Sequence, residues 1–532
     1  EYNYKRMMKK LVLGIDISTQ GAKIVALDLK RRSQAYVDKI NYDKDLAQYG
    51  TKNGIIVNKD CHIGSAESDP IMWLDALNLL FVRMLKSKDI DIENIKAISV
   101  SGQQHGLVCI DKNGNLSRKK AKLWNDYTTE KECRILTDFV GGKEKMIDEV
   151  ANALRAGYTA SKILDLVKNE NQIYKKTSAF LLPHNFINWY LTGGIFAMEY
   201  GDASGTGIWN PVSKSWSKKL VNFIAGDLKL KLPQVKPPTQ PIGKISKELV
   251  AKYGFAVDCI IDAGSGDNMY GAVGTGNVKN GIVTISLGTS GTAYTYMSQP
   301  YIDPEGEIAC FCDSTGNYLP LLCVSNMANS YNEFLESNAL THKNFEDLIS
   351  ESDPGNNGNM IIPWFEGERT PDIPDACATY FGFKPRDLNK ANIARGILEG
   401  TIQNLYNGFK KLPLKPNIIH LTGGLSQSKS WCQAVADIFD CKTINIEGEG
   451  AALGAAIHAA WVLQMQNGNN IDIAEVCEPY IEFNHSMLHK PRDKFKNTYN
   501  AQKKLFGALT KKIKATDDGQ NLFDLKNRIS FD

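Results

Sequence analysis

Two short stretches of this chain share one plan, and that repetition limits the folds open to it more than any other feature. "LGIDISTQGAKIVAL" begins at Leu13 and "TISLGTSGTAYTY" at Thr284. Each reads as an apolar strand, a Gly/Ser/Thr turn and a second apolar strand. Setting Thr19-Gln20-Gly21 against Thr289-Ser290-Gly291 brings Asp16 opposite Ser286. A further pair follows in the same order: "IKAISVSGQQHG" (Ile95–Gly106) and "IIHLTGGLSQS" (Ile418–Ser428) each run from a buried-type strand into a Gly-rich loop. One α/β lobe used twice accounts for this order, with a mixed sheet in each half, helices on the faces and a cleft between the lobes.

Apolar spacing predicts helices over Pro70–Lys86 and Trp431–Asp440. The proline-rich "LPQVKPPTQPIG" (Leu232–Gly243) reads as an extended connector. The lobe boundary is placed between Gly266 and Asn280, giving lobes over 8–275 and 276–480. The Lys- and Asn-rich segment 481–532 is expected to form a peripheral helix and tail. With 532 residues and 43% apolar content, the chain can bury large cores. Its 62 basic and 59 acidic residues nearly balance, which argues against nucleic acid, a polybasic membrane anchor or an acidic tail. No apolar run reaches the roughly 18–20 residues of a membrane span, and "EYNYKRMMKK" lacks the apolar core of a secretion signal. Glu1 is no initiator, so the native start is expected at Met7 or Met8. The 11 cysteines show no C-x-x-C spacing and read as reduced, buried thiols of a cytoplasmic protein.

The chemistry concentrates in the loops. A tight Gly-containing turn exposes consecutive N–H groups to an anion, and hydroxyls from Ser18, Thr19, Thr289 and Ser290 can donate alongside them. Either turn alone could be a plain hairpin; two at matching positions suggest a clamped polyphosphate. A carboxylate beside such a turn, Asp16, can hold Mg²⁺ directly or through water, or it can simply cap its own turn. "DAGSGDNMYGAVGTG" (Asp262–Gly276) crowds glycines around Asp267 and Asn268, which would leave the carboxylate exposed in a loop facing the cleft. There it can take a proton from an attacking hydroxyl, or it can be an Asp-Asn turn without chemistry. In "SGQQHG", glycines present Gln104 and His105 at a strand end, suited to polyol or sugar hydroxyls.

These residues together resemble the FGGY carbohydrate kinases of the actin–Hsp70–sugar kinase superfamily, over roughly Leu11 to Trp461. "SGQQHG" is similar to the sugar loop of the xylulokinase branch, "LWNDYTT" (Leu123–Thr129) to the tryptophan-aspartate-threonine segment, and "FEGERTP" (Phe365–Pro371) to a further signature. "TGGLSQSKSW" and "GAALGAA" resemble the adenosine site. The resemblance implies two duplicated ribonuclease H-like lobes, with ATP and Mg²⁺ as cofactors and D-xylulose as the sugar. Asp267 would be the general base and Asp16 the magnesium carboxylate, with Gln104, His105, Asp267 and Asn268 lining the sugar site. Ser18, Thr19, Gly288 and Thr289 would meet the phosphates, and Gly423, Gly424 and Ser428 the adenosine. An arginine contacts sugar in some relatives; Arg155 is the candidate nearest in sequence. A homodimer is compatible with the family. Two other readings stay open: a kinase of the same family for ribulose or an alditol, and a non-catalytic sugar sensor or actin-like assembly protein.

Overall fold

The computed structural model describes residues 10–57, 63–448, 450–514 and 522–527. Met7, Met8 and the end of the expected tail lie outside the described residues, as does Cys61. The first half builds a seven-stranded sheet from β1 (Leu11–Ile17), β2 (Gly21–Asp28), β3 (Ser33–Asn41), β4 (Ile95–Gly102), β5 (Gly243–Lys244), β6 (Ile260–Ile261) and β7 (Ser265–Gly266). Their order is β5-β6-β4-β1-β2-β3, with β7 also on β4. The second half builds another from β8 (Ile282–Leu287), β9 (Gly291–Thr295), β10 (Ile308–Cys312), β11 (Tyr318–Val324), β12 (Ile418–Thr422), β13 (Thr443–Glu447) and β14 (Glu482–His489). Here the order is β10-β11-β9-β8-β12-β13-β14.

The duplication is literal. β1 pairs antiparallel with β2 and parallel with β4; β8 pairs antiparallel with β9 and parallel with β12. Asp16 registers against Lys23 and Ser101, while Ser286 registers against Thr292 and Thr422. The expected pair of α/β lobes is therefore present, with the two hairpin turns at equivalent corners.

Helix α1 (Pro70–Lys86) has the expected bounds because its ends are written locally. Asp69 accepts from the Ile71 N–H, and Pro70 occupies a first-turn position where its missing N–H costs nothing. It buries Trp73, Leu77 and Phe81 under the first sheet. Helix α2 (Thr159–Asn169) belongs to a helical insertion that follows β4. Helix α3 (Asp267–Gly274) follows β7 directly. Next come α4 (Lys390–Phe409), α5 (Lys429–Phe439, capped by Ser428), α6 (Gly450–Gln466) and α7 (Lys496–Lys514).

Helices α3 and α6 fill the space between the sheets. α6 is apolar on every side, as a fully enclosed helix must be. It lies on Val12, Val25 and Ala97 of the first sheet and on Tyr270 and Val273 of α3. α3 in turn sets Met269 and Ala272 against Tyr294, Phe311 and Leu319 of the second sheet. Backbone meets backbone at each step: a Cβ on Gly14 would lie 2.1 Å from the Ala452 carbonyl oxygen, and one on Gly454 1.8 Å from that of Tyr270. His458 of α6 pins the layer, its Nδ1 2.8 Å from Asp262 Oδ2 and its Nε2 2.8 Å from the Ser314 carbonyl.

Two expectations change. The segment after 480 is not merely peripheral: β14 completes the second sheet, and α7 sends Tyr499 and Gln502 to the buried Glu399 of α4. The proline-rich connector also carries Gln234–Lys236, which pairs parallel with Ala197–Glu199. The ten described cysteines are all free, and no helix among the described residues is long and apolar enough to cross a membrane.

Gly454→Ala should push α6 off α3. The expected loss is about 1–3 kcal/mol of stability, as for other overpacked cores, read as a lower melting temperature; an unchanged melt would show that the helices can part freely.

Candidate active site

The two turns differ in chemistry. In the first, Ser18 Oγ and the Ser18 N–H both bond the Gly21 carbonyl at 2.9 Å. Thr19 Oγ1 donates to Gln103 Oε1 at 3.3 Å and accepts from Trp124 Nε1 at 2.9 Å. These hydroxyls, expected to meet an anion, brace the turn instead. The N–H groups of Thr19 and Gln20 have no acceptor among the described residues. In the second turn, Thr289 and Ser290 hydroxyls have no partner among the described residues, and Thr289 is exposed. Gly288 begins that turn and its carbonyl accepts from Ala328.

The Gly-Gly loop divides its labour. Gly423 has φ +88°, and a Cβ there would meet Leu287 backbone at 2.7 Å, so this glycine lets the loop lie on the second turn. Gly424 faces open space. Ser428 caps α5 through the Trp431 N–H and donates to Glu346, as does Ser430. In "GAALGAA", Gly454 serves helix packing, because the place of its missing side chain is filled by the Tyr270 carbonyl.

Asp16 lies near the end of β1, half-buried. Ser101 Oγ donates to its Oδ1 at 2.7 Å, and Oδ2 has no partner among the described residues. Burial raises its pKa, while Ser101 and Lys23 pull it down. Asp267 is the first residue of α3 rather than part of a free loop. Its Oδ1 accepts from the Asn268 N–H at 2.9 Å, and Asn268 Nδ2 bonds Gln104 Oε1 at 2.8 Å. Burial, then the charges of Asp16 and Asp202, push the Asp267 carboxyl up to about 8. The structure thus gathers Gln104, Asn268, Asp267 and Asp16 at one corner, where the strand ends of the first sheet meet α3.

His105 sits at φ +62° with its ring 4.5 Å from Tyr158 and 6.0 Å from Phe311, measured between centroids. Burial, with Lys162 adding, drives its pKa down to about 3, so the ring is neutral. Gln104 Nε2 and His105 Nδ1 are buried polar atoms without a partner among the described residues. A Cβ on Gly205 would fall 2.8 Å from His105 Nδ1 and 3.4 Å from Gln104 Nε2, so this glycine makes room for both. Arg155 is turned elsewhere: its Nη2 donates to the Gly306 and Glu307 carbonyls of the second half. Among the described residues its guanidinium makes no bond to Gln104, His105, Asp267 or Asn268.

Several participants were missed in sequence. Ser101 was findable, since the strand entering "SGQQHG" should lie beside the one carrying Asp16. Gly205 and Asp202, in "DASGTG", and Lys162 gave no signal beyond their residue types.

A divalent cation suits this donor set. Asp16 offers an unengaged oxygen amid mutually repelling carboxylates, and Mg²⁺ commonly takes one or two carboxylates, water and phosphate oxygens. Among the described residues no group of three His, Cys, Asp or Glu forms a cage, so the nucleotide phosphates would complete the shell.

The FGGY family of carbohydrate kinases matches this chain twice, by its N-terminal domain over residues 11–274 and by its C-terminal domain over 283–463. The chain belongs to that family. As an FGGY carbohydrate kinase it is an ATP-dependent phosphotransferase. Xylulose kinase of Haemophilus influenzae is 34% identical over 511 residues, covering 94% of this chain and 99% of the relative. Among solved structures, a ligand-bound xylulose kinase of Lactobacillus acidophilus has a TM-score of 0.82 at 24% identity, over 95% and 99% of the two chains. A gluconate kinase from the same organism reaches 0.83 at 23%, over 96% and 99%. Both show the two-lobed fold; neither chooses the sugar.

Asp267 costs stability wherever the unfolded chain is ionised and the folded site resists ionisation. That cost opens above the ordinary carboxyl range and is complete once pH passes about 8. Asp267→Asn should therefore melt higher than the parent near about pH 8.5, with the gap closing toward about pH 4. Equal melting temperatures at both pH values would remove the charge argument.

Proposed function

We propose that this FGGY kinase transfers the γ-phosphoryl group of ATP to D-xylulose, giving D-xylulose 5-phosphate and ADP. The observation that carries this reading is the Gln104–Asn268–Asp267 chain at the sugar corner, taken with full-length likeness to relatives named xylulose kinase.

Gln104 and His105 hold the ketose through its hydroxyls, with Gln104 Nε2 as a donor in need of an acceptor. Asn268 keeps Gln104 and Asp267 in fixed relation, so the sugar and the base share one frame. Asp267 takes the proton of the terminal hydroxyl as its oxygen attacks the γ-phosphorus, and later releases it to solvent. A carboxyl held near neutrality matches this task, because a base works best when its pKa lies near the working pH. The N–H groups of the two turns, with the free hydroxyls of Thr289 and Ser290, receive the phosphate oxygens. Ser18 and Thr19 serve by holding the first turn rigid. Gly424 leaves the face on which the adenosine lies. Mg²⁺, when bound at Asp16, would neutralise phosphate charge.

The substrate reading is tested by ADP release across a panel of D-xylulose, D-ribulose, an alditol and gluconate. D-xylulose should give the highest kcat/KM, and a higher value for any other member overturns the assignment. Asp267→Ala should lower kcat by about 10²–10⁴-fold while ATP affinity, read by calorimetry, stays near that of the parent. Turnover within a few-fold of the parent would mean that another group takes the proton.

A further inference from the structure

The sugar loop has an anchor behind it that the chemistry above leaves unused. Lys162 of α2 is fully buried, 1% exposed, with no carboxylate bonded to it among the described residues. Its Nζ instead donates to three main-chain carbonyls, His105 at 2.8 Å, Leu123 at 2.6 Å and Gly157 at 2.8 Å. Burial drives its pKa down to about 7, with the charge of Asp126 opposing that shift and the charge of Lys122 adding to it, and its three N–H groups are matched by three carbonyls. Two of those carbonyls belong to the sugar loop and to the segment that holds the first turn. His105 ends the sugar loop in a left-handed conformation uncommon for a residue with a side chain, and its carbonyl also accepts from Thr159 Oγ1 at 3.2 Å. Leu123 precedes Trp124, whose indole holds Thr19 in the first turn.

We infer that Lys162 is a positioning residue that ties the sugar loop to the first phosphate turn, through the His105 carbonyl on one side and the Leu123–Trp124–Thr19 path on the other. The inference rests on the reading of Gln104 and His105 as the sugar loop. An ammonium supplies one N–H to each carbonyl. A neutral side chain of similar length leaves all three without that donor and releases His105 from its strained setting. The alignment of sugar with the phosphoryl group should suffer first.

Lys162→Met, Thr159→Val and Gln104→Ala are compared with the parent in the kinase assay, varying D-xylulose and ATP separately, with a thermal melt of each. Lys162→Met should raise the KM for D-xylulose at least tenfold and leave the KM for ATP within about twofold, a split that general loosening would not produce. Thr159→Val, which removes a single bond to the His105 carbonyl, should raise the D-xylulose KM a few-fold even if Lys162→Met does not fold. Parallel changes in both KM values, or none in either variant, overturn the inference. If Gln104→Ala raises the D-xylulose KM while Lys162→Met and Thr159→Val do not, the sugar-loop reading stands and the anchor alone fails. If Gln104→Ala has no effect, the sugar-loop reading falls and takes this inference with it.

Discussion

The halves of this protein are held at their working distance by backbone lying directly on backbone. Gly14 of β1 admits the Ala452 carbonyl of α6, and Gly454 of α6 admits the Tyr270 carbonyl of α3. Interiors are close-packed, so a single added methyl at either point must separate the layers. The site inherits that spacing. Asp16 lies two residues beyond Gly14 on the same strand, and Asp267 opens the helix that carries Tyr270.

Duplication supplied the scaffold, and divergence between the copies supplies the chemistry. At the equivalent strand position one lobe has Asp16 and the other Ser286, so negative charge enters from one side only. In the first turn the hydroxyls are consumed by internal bonds, making it a stiff rim of N–H groups. In the second they are free of partners among the described residues. A symmetric site would either repel a polyphosphate with two carboxylates or lack any group to seat a cation. Burial raises the pKa of both Asp16 and Asp267, and at Asp267 the charges of Asp16 and Asp202 add to it.

What could be read from sequence follows from what is written locally. The hairpins and α1 depend on turn residues, β-branched runs and a cap within a few positions, and these stand in the structure as expected. The helical setting of Asp267 was hidden because "DNMYGAVG" is glycine-rich, and glycine disfavours helix unless packing demands close approach. Gly274 is such a case, since a Cβ there would lie 2.0 Å from the Gly450 carbonyl oxygen. Strand β14 was hidden because it is an edge strand, largely exposed, and its polar residues resemble a tail. The bonds that Arg155 and Ser428 make were hidden for another reason. A long or hydroxylic side chain names a capacity to bond, and only tertiary structure reveals that Gly306, Glu307 and Glu346 claim it.

The corner that holds Gln104 and His105 is finally a product of both halves, which bears on how binding there and lobe arrangement would be linked. His105 forms a cluster with Tyr158 of the first half and Phe311 of β10, which also face each other. Around it the helical insertion grips the second half: Asn152 exchanges bonds with Cys310 backbone, Arg155 holds the Gly306 and Glu307 carbonyls, and Tyr127 accepts from Arg369 of "FEGERTP". A ligand that orders Gln104 and His105 therefore acts on surfaces belonging to both lobes. Its binding energy can favour one lobe arrangement only to the extent that these cross-lobe contacts differ between arrangements. The "FEGERTP" and "LWNDYTT" segments, remote from each other in sequence, meet at Arg369 and Tyr127. Their shared place at this seam gives a physical reason for both to accompany the same phosphate turns.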